Sequence, residues 1–191
     1  MVTSVRLYLA LLVLVALERG VELVISSRNA RLARARGAVE SGQGHYPVMS
    51  LFHGAFLLAC ALEVVLLQRP FPGAVGWIAL AVVLAAQALR YWAVVTLGWR
   101  WNTRIVVVPG APPVTGGPYR FVSHPNYVAV IAEMLALPLV HGAWLTALVF
   151  SLGNAWLLRV RIRAEEQALG EPWQHAFAGR PRFVPGGHGG Q

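Results

Sequence analysis

The chain has 191 residues, room for one domain or two, and sixteen basic residues against eight acidic ones give it a formal charge of +8. Every base is Arg and every acid is Glu, so mechanisms built on a catalytic Lys or Asp, Schiff bases and aspartyl dyads among them, are excluded. Hydrophobic residues make up 57% and charged residues only 13%, against about a quarter charged in soluble domains. The chain therefore reads as a membrane protein. A nucleic-acid binder would carry its bases on a charge-rich solvated surface, whereas here they sit in short clusters between apolar runs. The single cysteine, Cys60, lies within an apolar run and offers neither a disulfide framework nor a Cys-based metal site.

A spanning helix needs about 20 mostly apolar residues. Val5 to Ile25 supplies the first such run, interrupted by Arg6, Glu18, Arg19 and Glu22. Its length, and its continuation through charges rather than into a small-residue cleavage site, argue for a retained span over a signal peptide. Pro47 to Leu67 is the second run, opened by His45-Tyr46 and carrying His53 and Glu63. After Arg69-Pro-Phe-Pro-Gly73, a third runs from Ala74 to about Leu97 and carries Arg90.

The next stretch, Tyr127 to Leu158, would be roughly 45–50 Å long as one straight helix, against a hydrocarbon core of about 30 Å. Pro138 and Val140-His-Gly142 interrupt it, which predicts two antiparallel segments, Asn126 to Leu139 and Ala143 to about Gln167. The first is shorter than a full crossing, so the hairpin tilts or penetrates part-way. The expected fold is all-α: an integral-membrane bundle of about five transmembrane helices, the last two a helical hairpin. Arg counts orient it. The first and third connections and the C-terminal side are Arg-rich, the second holds only Arg69 and the fourth none, which places the C-terminus in the cytoplasm.

Three segments follow from this pattern. Residues 1–98 hold the first three helices, 99–185 a loop, the hairpin and a C-terminal segment, and 186–191 a Gly-rich tail expected to be disordered. The all-Arg, Ala-rich usage points to a GC-rich bacterium, and so to its inner membrane.

Two clusters could carry chemistry. Pro109 to Pro118 leads into Tyr119-Arg-Phe-Val-Ser-His-Pro-Asn-Tyr127, with Pro125 suited to the first position of a helix and Ser123 or His124 near its cap. Such a helix start can hold an anion; a plain loop-to-membrane junction would read the same way. The second cluster, Arg159-Val-Arg-Ile-Arg-Ala-Glu-Glu166, places Arg161 and Glu165 one turn apart on one face, which also suits a basic membrane anchor. The hairpin brings both clusters to the same interface, around one cleft.

These residues resemble the isoprenylcysteine carboxyl methyltransferase family: Gly117-Pro-Tyr-Arg-Phe-Val-Ser-His-Pro-Asn-Tyr127, then Arg161-Ile-Arg-Ala-Glu-Glu166, then Pro181-Arg-Phe-Val-Pro185. The resemblance covers residues 100–185. It implies an integral-membrane methyltransferase that uses S-adenosyl-L-methionine. By resemblance, Val114, Tyr119, His124, Pro125, Asn126, Tyr127 and Glu165 line the cofactor site and Arg161 faces the substrate, with His124 and Arg161 expected to act in catalysis. The cofactor's ammonium suits Glu165 and its carboxylate suits the helix start. Ser123 stands where the prenylcysteine enzymes carry Arg, and Trp173 and Phe177 stand where the family tends to show Gly and Tyr. The implied acceptor is a lipophilic molecule or lipidated substrate: a prenylcysteine carboxylate, or a phenolic or enolic lipid such as the alkylpyrones linked to bacterial relatives. A membrane reductase using NADPH and a non-catalytic membrane scaffold are the competing readings.

In the N-terminal half, Glu18, Arg19 and Glu22 either line a substrate cleft or form an internal ion-pair network with Arg90. His53, Glu63 and Glu133 are interior-facing groups without an assigned role. No His/Glu group has ligand spacing, so no metal is expected.

Overall fold

Six positions on the third helix explain how the bundle closes. Gly76, Ala79, Val83, Ala86, Arg90 and Ala93 recur at three- and four-residue intervals and are all buried, so one narrow face made mostly of small residues lets a neighbour approach closely. A Cβ on Gly76 would come within 2.8 Å of the Val140 carbonyl. The computed structural model describes residues 2–42, 44 and 46–184. His45 and the tail over 186–191 lie outside them.

Among the described residues there are five α-helices: α1 (Val2–Arg34), α2 (Tyr46–Leu66), α3 (Ala74–Leu97), α4 (Pro125–Leu139) and α5 (Trp144–Ala176). The all-α membrane bundle is as the sequence predicts. Helix α2, the α3 helix with its 3-10 extension to Arg100, and α5 are each long and apolar enough to cross a bilayer. Helix α4 has 15 residues, about 22 Å at 1.5 Å per residue, and cannot cross alone. It packs along α3 more extensively than any other pair of elements and returns through a turn at Val140–Gly142 into α5. The apolar core joins Tyr8 and Leu12 of α1, Phe56 and Val64 of α2, Val83 of α3 and Leu137 of α4.

Two helices exceed their expected limits. Helix α1 continues past Ile25 to Arg34 because its extension has polar partners. Ser26 Oγ donates to Asn102 Oδ1 at 2.8 Å, and Asn29 Nδ2 donates to the carbonyls of Trp101 at 2.8 Å and Gly98 at 3.2 Å. Helix α5 runs past Gln167 to Ala176 because Gly170, at φ 67°, bends it without ending it. An antiparallel pair of short strands, β1 (Val39–Ser41) and β2 (Ile105–Val107), was not foreseen; β2 is wholly β-branched, and the pair sets Val39 opposite Val107 and Ser41 opposite Ile105. It clips the end of α1 to the segment after α3, so the first and third arginine-rich connections share one end of the bundle. Glu40 on β1 accepts from Arg104 at 2.9 Å and Arg34 at 3.2 Å. Desolvation opposes its charge, but these two hydrogen bonds prevail and hold its carboxyl below the usual range.

Charges inside the bundle pair with one another. Arg90 Nη2 lies 2.7 Å from Glu133 on α4 and its Nη1 3.8 Å from Glu22 on α1. Arg19 reaches Glu22 at 2.8 Å and Glu18 at 3.1 Å, while Gln87 Nε2 donates to Glu18 at 2.6 Å. Of the two readings open for Glu18, Arg19 and Glu22, the ion-pair network with Arg90 is the one observed, and Glu133 belongs to it. Glu63 has a different task at the opposite end. It accepts from Thr146 N and Oγ1, both at 2.7 Å, and from Leu145 N at 3.2 Å, so it satisfies the open first turn of α5. Arg69 pairs with it at 3.0 Å.

Arg90→Ala would take from Glu133 its nearest cation and leave Arg19 alone among three carboxylates, at a cost of about 3–5 kcal/mol. Arg6→Ala, at an exposed position, is expected to change little. Thermal-aggregation midpoints of the two variants in one detergent test this, and equal midpoints would contradict a stabilising network.

Candidate functional site

Where α1, the 98–114 segment, the start of α4 and the last turns of α5 converge, they enclose a cleft of about 480 Å³ at the arginine-rich end. A 3-10 turn over Gly117–Arg120 carries Tyr119 into its wall. That turn needs its glycine: Gly117 sits at φ 54°, and a Cβ there would come within 2.3 Å of Thr96 Oγ1. The kink at Gly170, followed by Pro172, sends the last turns of α5 back across the cleft, so Trp173 stacks on His124 at 5.3 Å between ring centroids and on Phe177 at 5.0 Å.

At the centre is Tyr127, whose phenol is the hinge between the two helices of the hairpin. Its hydroxyl donates to Glu165 Oε2 and accepts from Arg161 Nε at 2.8 Å. Arg161 Nη2 donates to the Thr103 carbonyl at 2.8 Å. The Thr103 N–H in turn donates to Ser26 Oγ at 3.0 Å, so the α1 extension helps hold this guanidinium. Among the described residues, three polar atoms in the cleft wall remain buried without a hydrogen-bond partner: Arg161 Nη1, Asn126 Oδ1 and Asn102 Nδ2.

Of the residues the sequence singled out, Val114, Tyr119, His124, Asn126, Tyr127, Arg161 and Glu165 all line this one cleft. Pro125 does not; it is fully buried beneath them as the first residue of α4. Burial, and then the nearby charge of Glu165, push the Tyr119 phenol above its usual range, so it stays a neutral hydroxyl.

The start of α4 offers fewer free donors than the sequence suggests. Ser123 and His124 N–H donate to the carbonyls of Pro181 and Arg182, at 3.0 and 3.2 Å, and Tyr127 and Val128 N–H both return to the His124 carbonyl. Among the described residues, that leaves Asn126 N–H as the first-turn donor without a protein acceptor. The C-terminal segment takes the place a bound anion could have taken.

Sequence reasoning assigned no site role to Glu166. Its carboxylate lies 3.0 Å from His124 Nε2 and accepts two bonds from Arg182, at 2.9 and 2.8 Å. It fixes the His124 ring and ties the C-terminal segment over the site. Nor was Thr103 foreseen, since a backbone carbonyl carries no signal in the side-chain pattern. Trp173 and Phe177 were noted only as departures, yet they form an aromatic wall.

Comparison with known proteins agrees with this arrangement. Residues 77–171 match the isoprenylcysteine carboxyl methyltransferase family. The chain belongs to that family. It is 42% identical to the uncharacterized protein YpbQ of Bacillus subtilis over 162 residues, which covers 84% of this chain and 95% of that one. It is also 30% identical to an uncharacterized protein of Haemophilus influenzae over 148 residues, 77% of this chain and 86% of that one. The family match spans α3, the cleft loop, α4 and α5 up to the kink, so it contains every candidate residue named from the resemblance. Membership of this methyltransferase family, with three helices fit to span a bilayer among the described residues, makes it an integral membrane protein of methyltransferase type.

Tyr127→Phe removes the hydroxyl that both Arg161 Nε and Glu165 use and leaves two charged groups short of a partner. A charge-assisted hydrogen bond contributes about 1.5–3 kcal/mol, so the thermal midpoint of the detergent-purified variant is expected to fall by several degrees. An unchanged midpoint would mean that the phenol is not the hinge of the hairpin.

Proposed function

We propose that the protein is an S-adenosyl-L-methionine-dependent O-methyltransferase that works on a lipophilic acceptor at the cytoplasmic face of a bacterial inner membrane. The observation that carries this reading is the cleft. At about 480 Å³ it falls within the range of small-molecule sites. Its wall combines a carboxylate, an aromatic stack and three buried polar atoms that the protein leaves unpaired. The Arg-rich connections at the same end support the cytoplasmic orientation.

The residues fit the cofactor. Glu165 and Asn126 Oδ1 are acceptors suited to an ammonium, and Asn126 N–H is a donor suited to a carboxylate. His124, Trp173 and Phe177 form a stacked apolar face suited to a purine ring. Val114 and Tyr119 complete the wall, and Pro125 supports it from beneath. When bound, the cofactor would supply an electrophilic methyl group on a sulfonium centre. The protein's own contribution is positional, because methyl transfer to oxygen depends on alignment more than on proton transfer. Glu166 orients the His124 ring, Tyr127 spaces Arg161 from Glu165, and Trp173 limits access of water.

Arg161 is the group for the acceptor. With Nε on Tyr127 and Nη2 on Thr103, it keeps one nitrogen, Nη1, for a ligand. A carboxylate is gripped best through two parallel N–H bonds, whereas a phenolate or enolate presents a single oxygen. Ser123, buried in the cleft wall where the prenylcysteine enzymes carry Arg, adds no second cation. Both features favour a phenolic or enolic lipid over a prenylcysteine carboxylate.

Calorimetry with S-adenosyl-L-methionine and S-adenosylhomocysteine on detergent-purified protein tests the first half of this reading. Glu165→Gln is expected to weaken binding about tenfold or more, from loss of a bond of about 1.5–3 kcal/mol. Arg161→Lys is expected to lose most turnover, since a flexible ammonium cannot reproduce the planar fork, with a smaller loss of cofactor affinity than Glu165→Gln. A methyl-transfer assay offering an alkylpyrone, an alkylphenol and farnesylcysteine side by side tests the acceptor. Absence of cofactor binding would refute the methyltransferase reading; turnover of farnesylcysteine alone would refute only the acceptor.

A further inference from the structure

A second groove, of about 530 Å³, runs along the outer side of the α4–α5 hairpin, and of its lining the methyltransferase reading uses only the Glu166 end, not the groove itself. Its walls are Ile131 and Leu135 of α4 and Ala155, Leu158 and Ile162 of α5. Such walls suit an alkyl chain. Two features separate the groove from an ordinary lipid-facing furrow. Asn154 is 2% exposed, yet its Oδ1 has no hydrogen-bond partner, and the buried Ser151 Oγ one turn away has none either. Buried polar groups are normally paired, so a carboxamide and a hydroxyl left open along the groove point to a polar group of a ligand.

The second feature is charge. Arg159 and Arg163 line the arginine-rich end of the same groove, exposed and one turn apart. Neither forms an ion pair among the described residues. Like charges at this spacing repel, and an anion between them would relieve the repulsion. Among the described residues lining the groove, the carboxylate at that end is Glu166, already held by His124 and by two bonds from Arg182, so it does not compensate them. Along the axis, Asn154 and Ser151 lie about 7.5 and about 12 Å below Arg159, at 1.5 Å per residue. Cations at the membrane surface, polar groups one to two turns deeper and an apolar channel beside them follow the order of phosphate, glycerol linkage and acyl chain in a glycerophospholipid.

We propose that this groove is a binding site for one anionic glycerophospholipid, distinct from the cleft. Its phosphate pairs with Arg159 and Arg163, its glycerol linkage meets Asn154 and Ser151, and an acyl chain lies along the α4–α5 walls. The proposal depends on the bundle being embedded in a bilayer and is independent of any catalytic activity.

Native mass spectrometry of the full chain tests it, with dioleoylphosphatidylglycerol and dioleoylphosphatidylcholine added in equal amounts to the detergent. The expected result is one retained phosphatidylglycerol per chain, preferred at least tenfold over phosphatidylcholine. The double variant Arg159→Gln/Arg163→Gln is expected to lose that preference. Ala155→Phe, which fills the groove from an exposed position and leaves both arginines, is expected to lose retention as well. Circular dichroism and thermal midpoints close to wild type confirm that both variants are folded. Equal retention of the two lipids by the wild type, or undiminished phosphatidylglycerol retention in either folded variant, would overturn the site.

Discussion

A guanidinium buried in the protein has no bulk water to fall back on, and each one must be ion-paired or hydrogen-bonded by groups the protein brings to it. This constraint organises the structure twice. Arg90, buried on the small-residue face of α3, draws Glu133 of α4 and Glu22 of α1 around it, so three helices meet at one charge. Arg161, buried on α5, draws Tyr127 of α4 and the Thr103 carbonyl of the segment after α3, with Ser26 of α1 behind that segment. Between them, the two arginines engage every helix except α2. That helix enters through Glu63, which satisfies the open N–H groups at the start of α5. Polar contacts thus set which helices neighbour one another, and apolar contacts among residues such as Leu12, Val83 and Leu137 fill the space between them.

Helix content and connectivity were legible in the sequence because they depend on local rules. Apolar length marks the spans, Pro138 with Gly142 marks the reversal, and Pro125 marks the start of α4. Boundaries were less legible wherever a tertiary partner extends an element. The polar end of α1 stays helical because Ser26 and Asn29 find Asn102 and the carbonyls of Gly98 and Trp101, some 70 positions away. No window of sequence contains that information. The same is true of β1 and β2, three residues each, which pair across two helices.

The site divides along the same line. Tyr119, His124, Asn126, Tyr127, Arg161 and Glu165 could be named because two motifs carry them and the hairpin brings the motifs together. What pattern could not reveal was who holds whom. One-turn spacing suggests a direct pair between Arg161 and Glu165, whereas the phenol of Tyr127 stands between them and uses both. Glu166 resembles a surface carboxylate from spacing alone, yet it holds His124 and Arg182 together. The helix start suggests an anion site, yet the carbonyls of Pro181 and Arg182 have taken two of its neighbouring N–H groups. Each difference arises from the C-terminal segment or from a side chain on another helix.

Unpaired buried atoms are informative only together with the space beside them. The network around Arg90 leaves Arg90 Nε, Arg19 Nε, Glu18 Oε1 and Glu22 Oε1 without partners, at least as many as the cleft does. Taken alone, that tally would make the ion-pair network the better ligand site. The void beside it, lined by Arg19, His53, Arg90 and Glu133, is about 20 Å³, room for about one water. A single water there would have polar neighbours on Arg19, Arg90 and Glu133, and the carboxylates of Glu18 and Glu22 are already ion-paired, so the unpaired atoms there belong to the scaffold. Beside Arg161 Nη1 and Asn126 Oδ1 the space is more than twenty times larger, from the two volumes of about 480 and about 20 Å³. A cavity that size, bounded by stacked rings and a carboxylate, cannot be completed by one water, and this is what supports the proposal that its unpaired atoms meet a ligand. The same reasoning separates the two arginines in kind: Arg90 is surrounded and closed, while Arg161 is held on two sides and left open on the third.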